Sequence, residues 1–422
     1  MFKSTSRSQR ERGEKAVVNG RSIPYSRSSS ILGAPTYQAV SNEPFAGEAL
    51  FHAANWNQQE IYNWTVPTEY NIDYISVVCV GGGGAGENAH DAASGAGGAL
   101  AYKNNIPVTP GTVVTVRVGG GGANPAPAPN ANAYDGEPSF IQINGVNYAV
   151  AGGGSGGSPS YTSTSPDVGN VPGGTWSGTN ADGGGNGGAG SHSNTGTLMG
   201  GGGAGGYGGA GGKGILVYNY GVTGQATSPQ PGSSGAGGGA AAFNGSEGVA
   251  GGGGVGVYGL GPSGDGGYQP NPSSNEWGQL HGRGGSTAHN TGLNGYPGGT
   301  LSAHPNGIVQ APTNHPSPTW GNDPPQYPNV YDRVNTTAPT PSWYGDGGFP
   351  GGGGGGGNGG STYGRGGHGM VRIVYGTVGP NAQAANKRQF PTQNVDKTDE
   401  YAEESVPSAR TTIDTYGYQK MY

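Results

Sequence analysis

Residues 200–214 read GGGGAGGYGGAGGKG, and the residues that interrupt the glycines, Ala204, Tyr207, Ala210 and Lys213, recur at every third position. A three-residue period belongs to the extended left-handed helix of the polyproline II type, which contains no internal hydrogen bonds. Such a tract carries side chains on one edge and bare glycine on the other two. Bare edges let neighbouring backbones approach closely enough for N–H to C=O bonds between segments, supported by Cα–H contacts to oxygen. The spacing therefore predicts polyglycine II helices bundled through their backbones. Shorter tracts repeat it at Ala96 and Ala99, Asn186 and Ala189, Asn358 and Ser361, and Arg365 and His368. The competing reading, a flexible glycine linker, calls for a Gly/Ser mixture. Here strand-like segments bracket the tracts, and aromatic or charged residues fall in register.

Glycine and proline together supply 126 of the 422 residues (94 and 32), which argues against an ordinary helical enzyme. Leu, Ile, Val and Phe number only 57, a level at which disorder becomes the default expectation. The net charge of −6 is too small for self-repulsion to hold the chain open. Collagen is excluded because its Gly-X-Y register must be unbroken. No apolar run approaches the roughly 18 residues of a membrane span, and the opening MFKSTSRSQRERGEK has no apolar stretch of a secretion signal. The single cysteine, Cys79, rules out a disulfide framework or a cysteine metal site within one chain and reads as an inert core thiol.

Between turn signals, several segments alternate apolar and polar residues in the manner of half-buried strands: 49–53, 60–66, 73–80, 112–118, 139–143, 146–151, 214–220 and 370–376. Val114, Val116 and Val118 share one face of such a strand, with Thr115 and Arg117 on the other. Asn144-Gly145 between two of these runs is a hairpin signal. The expected fold is all-β: an antiparallel, sandwich-like frame over about residues 46–151, rejoined by the 370–376 strand. Polyglycine II helices, long irregular loops and extended termini complete it. The frame buries the Val, Ile, Tyr and Trp side chains needed to offset the ordering entropy of so much glycine.

Charge divides the chain. Residues 1–30 carry seven Lys/Arg against two Glu, residues 31–376 carry seven basic against seventeen acidic residues, and residues 377–422 carry five against six. Residues 1–45 read as a basic flexible arm whose Arg7, Arg10, Arg12, Lys15 and Arg21 are candidates for docking on an acidic protein surface. Residues 46–376 form the glycine-rich domain, and residues 377–422 a polar extended tail.

Glycine motifs carry little catalytic information in such a chain. GGSGG fits a nucleophile elbow around Ser155 only formally, because Pro, Ser and Tyr follow where a helix is needed. The Lys213 tract has Gly214 where a phosphate loop needs Ser or Thr. Four of the eight histidines, His281, His289, His304 and His315, fall in one insertion without the close spacing of local metal pairs. No enzyme activity, metal or cofactor is expected. The insertion, 268–345, holds twelve of the 32 prolines and the aromatics Tyr268, Trp277, Tyr296, Trp320, Tyr327, Tyr331, Trp343 and Tyr344. Stiffened loops and rigid rings favour recognition surfaces, so these eight are candidate receptor-binding residues; capping the glycine bundle is the alternative use. A smaller loop, 158–176, is a candidate for the same end. Ice binding needs a regular outward Thr or Ala face, which the outward column Ala204, Tyr207, Ala210, Lys213 does not provide.

The order of elements is distinctive. YNWTVP (62–67) is followed by ISVVCVGGGGAG (75–86), then GGALAYKNNIPVTPGTVVTVRVGGGG (97–122), and finally GRGGHGMVRIVYG (364–376). This resembles the glycine-rich domain of bacteriophage tail fibres, adhesins and related virion proteins, in which an Ala-Tyr strand leads to V-T-P-G-T and the domain closes on a valine-rich strand. The resemblance covers roughly residues 46–376. It implies a β frame with polyglycine II elements and a place in the virion, commonly host contact at a fibre tip. The expected partners are other virion proteins, a host surface receptor and further copies of the chain, as a trimer; nucleic acid and membrane insertion are not expected. No heptad coiled-coil shaft is present and the N-terminal region is only about 45 residues, so a compact attachment to the particle is expected. A capsid- or tail-surface structural protein without receptor binding is the alternative.

Overall fold

In the computed structural model the described residues are 15–18, 21–24, 26–27, 37–38, 46–53, 56–68, 72–87, 93–123, 133–158, 171–192, 199–217, 230–243, 250–266, 282, 284–286, 346–356, 364–376, 389–391, 411–413 and 419–421. Among them the chain forms strands and no helix. The first strands are β1 (Lys15–Val18), β2 (Arg21–Pro24), β3 (Ser26–Arg27) and β4 (Tyr37–Gln38), followed by β5 (Ala46–His52), β6 (Glu60–Thr65) and β7 (Tyr74–Val80). Next come β8 (Leu100–Pro107), β9 (Val113–Val118), β10 (Ser139–Ile143), β11 (Val146–Ala151) and β12 (Gly183–Gly185). The last are β13 (Ile215–Val217), β14 (Ala241–Phe243), β15 (Met370–Gly376), β16 (Thr411–Ile413) and β17 (Gln419–Met421).

Two antiparallel sheets make the frame. One has the order β11-β10-β9-β6 and the other β12-β8-β7-β15-β5. Strand β15 enters from far along the sequence and pairs with β7 on one side and β5 on the other, setting Arg372 opposite Val78 and Leu50. Their facing sides share one core, in which Phe51, Trp64, Ile75, Val77, Val116, Ile141, Ile373 and Tyr375 are all buried. Val114, Val116 and Val118 point into it, while Thr115 and Arg117 lie on the outer side. The Asn144-Gly145 turn joins β10 to β11 with both residues at positive φ, 50° and 80°, as a tight hairpin of this kind requires. Trp64 is the largest fully buried side chain, and its ring lies 5.3 Å from that of Tyr375 across the two sheets. Trp64→Ala is expected to cost about 3–5 kcal/mol, read as a lower urea midpoint at unchanged m-value.

The five-stranded sheet is covered on its second face too. Val78, Val80, Leu100, Tyr102, Met370 and Val374 pack there against Ala204, Tyr207, Val255, Val257, Phe349 and Phe390. This explains why β7 is buried almost continuously instead of alternating. It also corrects the outward column: Ala204 and Tyr207 are buried against this apolar face, whereas Ala210 and Lys213 are exposed. Arg372 is fully buried on the same face. Its guanidinium bonds Glu48 at 2.8 and 3.0 Å and the Val257 carbonyl at 3.3 Å, and lies 3.9 Å from the Tyr258 ring, which satisfies a charge that burial would otherwise make costly.

At one end the frame strands run straight into the glycine tracts. Strand β7 continues as 81–87, 93–99 leads into β8, β9 continues as 119–122, β11 as 152–157, and 364–369 leads into β15. The bonding of these tracts repeats every three residues. Gly81 and Gly84 donate to Ala99 and Ala96, Gly82 and Ala85 to Glu137 and Tyr134, and Gly83 and Gly86 to Gly367 and Gly364. In the same segment Gly82 and Ala85 accept from Gly154 and Gly157, Gly83 from Gly122, and Gly84 from Gly354, so six neighbours surround it. The 200–206 tract follows the same rule: Gly201 and Ala204 donate to Ala250 and Gly253, Gly202 and Gly205 to Gly95 and Gly98, and Gly203 and Gly206 to Gly212 and Gly209. Each backbone therefore finds its partners sideways, which accounts for buried peptide groups without a helix or a sheet ladder. Ala85, Ala96, Ala99 and Ala204 are buried within this lattice.

Candidate functional site

The eight aromatic residues of the insertion, Tyr268, Trp277, Tyr296, Trp320, Tyr327, Tyr331, Trp343 and Tyr344, lie outside the described residues, as do Arg7, Arg10 and Arg12. Lys15 and Arg21 fall on β1 and β2, which pair as a hairpin with Lys15 opposite Pro24 and Arg21 opposite Val18; the sequence reads this stretch as unfolded arm. Within the insertion, Gly282 donates to Gly251, Gly285 donates to Gly254 and accepts from Gly256, and Ser286 donates to Pro262, so Gly282, Gly285 and Ser286 are bonded into the lattice. The smaller loop also contracts, because Gly174 bonds Gly97 and Trp176 bridges Ala151.

Where the insertion returns to the body, its root meets a cluster of side chains. Asp346 accepts from the backbone N–H of Arg365 at 2.7 Å and from its guanidinium at 3.3 Å. The guanidinium lies 4.8 Å from the centre of the Trp56 ring, and the other neighbour of that ring is His368, centroid to centroid at 4.0 Å. Asn57 ties the 121–123 turn to the same place, donating to Gly121 and accepting from the N–H of Ala123. Four strand-to-loop transitions thus converge on one rim: Trp56–Asn57, Gly121–Ala123, Asp346 and Gly364–Arg365. The reason is local: GRGGHG puts Arg365 and His368 three apart, so both project from one edge of a lattice segment.

Electrostatics sort these groups. Burial pushes His368 down to about 3, and the nearby His52 and Arg365 act in the same direction, so its imidazole is neutral at pH 7. Its Nδ1 accepts from the Gly121 N–H at 2.9 Å, which places the ring proton on Nε2. Burial raises the Asp346 carboxyl above its ordinary range, and the Arg365 ion pair opposes that rise. Trp56 and Arg365 remain partly exposed. A half-exposed indole against a guanidinium can stack on a flat or apolar ligand group and pair with an anion. Among the described residues no group of three or more His, Cys, Asp or Glu is placed to hold a metal ion, and no helix is long and apolar enough to cross a membrane. Ser155 and Lys213 lie in lattice segments, the Ser155 carbonyl accepting from Ala96. Sequence reading paired Arg365 with His368 by spacing but missed Trp56, whose ring partners lie more than three hundred residues away, and Asp346, which reaches Arg365 across 19 residues.

The family model of a glycine-rich domain matches residues 57–267, 211 of the 422 residues and so half of the chain. Compared with curated proteins, the chain matches none.

Proposed function

The chain belongs to the glycine-rich domain family, and from that premise we propose that it is a bacteriophage virion structural protein, a tail fibre or adhesin contacting the host cell surface. The observation that carries the reading is the body itself, a sandwich continued into a backbone-bonded glycine lattice. Such a body offers rigidity without chemistry, and the loops it carries offer recognition. In this reading the aromatic insertion, Tyr268 to Tyr344, contacts the receptor beside Trp56 and Arg365. The basic residues Arg7, Arg10, Arg12, Lys15 and Arg21 dock on other virion proteins. The protein acts as a homo-trimer in the particle, without catalysis, cofactor, nucleic acid or membrane insertion. The glycine tracts adopt polyglycine II conformation, which the three-residue repeat of lateral bonding supports.

Recombinant protein is expected to label host cells. Deleting 287–345, which leaves the lattice-bonded Gly282, Gly285 and Ser286 in place, is expected to abolish labelling without loss of the folded signal. Equal labelling by the shortened protein would remove the insertion from the receptor site. The alternative, a capsid- or tail-surface connector without a receptor, is favoured by one observation: part of the C-terminal tail is seated on the body, as in proteins whose tails stitch neighbours together. Quantitative mass spectrometry of particles separates the two, since a connector is present in far more copies than a fibre.

A further inference from the structure

Within the polar tail, the tripeptide Gln389–Phe390–Pro391 is held by the body through the Phe390 N–H, the Phe390 carbonyl and the Pro391 carbonyl. Phe390 N–H donates to Asn104 Oδ1 at 2.8 Å, and Asn104 Nδ2 donates back to the Phe390 carbonyl at 2.8 Å. Leu260 N–H donates to the Pro391 carbonyl at 2.9 Å, and Gln389 Nε2 donates to Asn105 Oδ1 at 3.2 Å. The Phe390 ring is buried. It stacks on Tyr207 at 6.1 Å and 18°, and is tilted against Tyr102 at 6.4 Å and 49°. The side-chain amide of Asn104 thus acts as a strand edge for one residue, and two tyrosines form the pocket floor. This is a peptide-recognition site, with a backbone clamp for affinity and an aromatic pocket for selection.

Connectivity does not choose which copy of the chain fills it. Residues 377–388 link the end of β15 to Gln389, and twelve residues of extended chain span up to about 40 Å. Lys387 and Arg388 directly precede the tripeptide, whereas residues 31–376 carry seven basic against seventeen acidic residues. Asp182, paired with Lys103 and with the Asn104 N–H, stands beside the clamp. A basic aromatic-proline segment therefore complements the body of any copy within reach, and exchanging identical elements between protomers is a low-cost route to assembly.

We propose that the Tyr102–Asn104–Tyr207 clamp is an intersubunit dock, whose occupant in the assembled protein is Gln389–Phe390–Pro391 of a second copy. The proposal rests on the homo-oligomer of the reading above, and its test uses purified full-length protein, so it stands or fails independently of virion or receptor. Asn105→Cys in one copy and Gln389→Cys in a differently tagged copy are co-expressed and mildly oxidised; the native Cys79 is buried and does not interfere. The expected result is a disulfide-linked pair with one copy of each tag. Adding Phe390→Ala to the Gln389→Cys copy is expected to lower that yield at least tenfold. A double variant carrying both cysteines in one chain serves as the reference. If it closes only within single chains while the mixture yields no linked pair, the exchange is refuted; the clamp itself is checked by Asn104→Ala in the full-length protein, expected to expose Phe390 to protease at least tenfold faster, and an unchanged cleavage rate refutes it.

Discussion

Gly187→Ala is expected to unfold the glycine lattice around it, at a cost above about 4 kcal/mol, the range reserved for the most disruptive single substitutions. A Cβ on Gly187 would sit inside the Gly97 carbonyl group, far closer than any real side-chain contact. The obstacle cannot turn aside as a rotamer would, because it is backbone. That carbonyl accepts from Gly174, and Gly97 itself donates to Gly188, so displacing it breaks bonds in two further segments. Gly187 donates in turn to Gly174, closing a local set of three chains. Gly178→Ala is the matched control: its nearest neighbour would be the Trp176 ring at 3.9 Å, and the change is expected to stay within about 0.5 kcal/mol. Thermal and urea unfolding of the two variants measure the difference. Equal stability would mean that the lattice does not hold the fold.

The contrast explains why the lattice tolerates alanine at some positions and not others. Ala96 and Ala204 are buried in it without conflict, because Ala96 packs with Ala93 and Val171 and Ala204 packs in the apolar cluster on the second face of the five-stranded sheet. The glycines between them, such as Gly95, Gly97 and Gly203, face carbonyl groups at distances no Cβ can share. The sequence period of three is thus the footprint of three bonding directions, two of which exclude side chains.

Much of the frame was legible for a simple reason. Strands β6, β9, β10 and β11 have one wet face, so alternation marks them, and Asn144-Gly145 marks their hairpin. Strand β8 escaped the alternation because Leu100, Ala101 and Tyr102 are buried in succession on a sheet covered on both faces; only the family resemblance supplied it. Strand β12 is three glycines and has no side-chain pattern at all. The burial of Ala204 and Tyr207 was equally hidden, since spacing gives the edge of a tract but not what lies beyond it. At the rim, GRGGHG showed two residues in register. Trp56, from the β5–β6 connection, and Asp346, from the end of the insertion, join them only through long-range topology. The anchoring of Phe390 depends likewise on Asn104 and two tyrosines from distant segments, and no local pattern in a polar tail announces it.

Acid is expected to weaken the fold through His368. Its folded-state value of about 3 lies below the ordinary 6.5, because burial comes first and the nearby His52 and Arg365 add to it. A depressed folded value means that the unfolded chain binds the proton more readily. The stabilising contribution is therefore complete above about pH 6.5 and is lost as pH falls towards 3. The contribution is on the order of a few kcal/mol, most of it lost by pH 4. Asp346 acts in the opposite sense. Its raised folded value favours the fold at low pH and loses that contribution as pH rises through it, which partly offsets the histidine in mild acid. The discriminating variant is His368→Gln. It gives up the ring contact with Trp56 and the ring acceptor for Gly121, so it starts less stable at pH 7. Having no proton to take up, it loses less on acidification. Urea midpoints at pH 7 and pH 4 are expected to differ more in the wild type than in the variant. An equal acid loss in both would place the acid-sensitive group elsewhere. The result would also reach the rim directly, because protonating His368 removes the acceptor for the Gly121 N–H and sets a cation beside Arg365, where Trp56 and the root of the insertion meet.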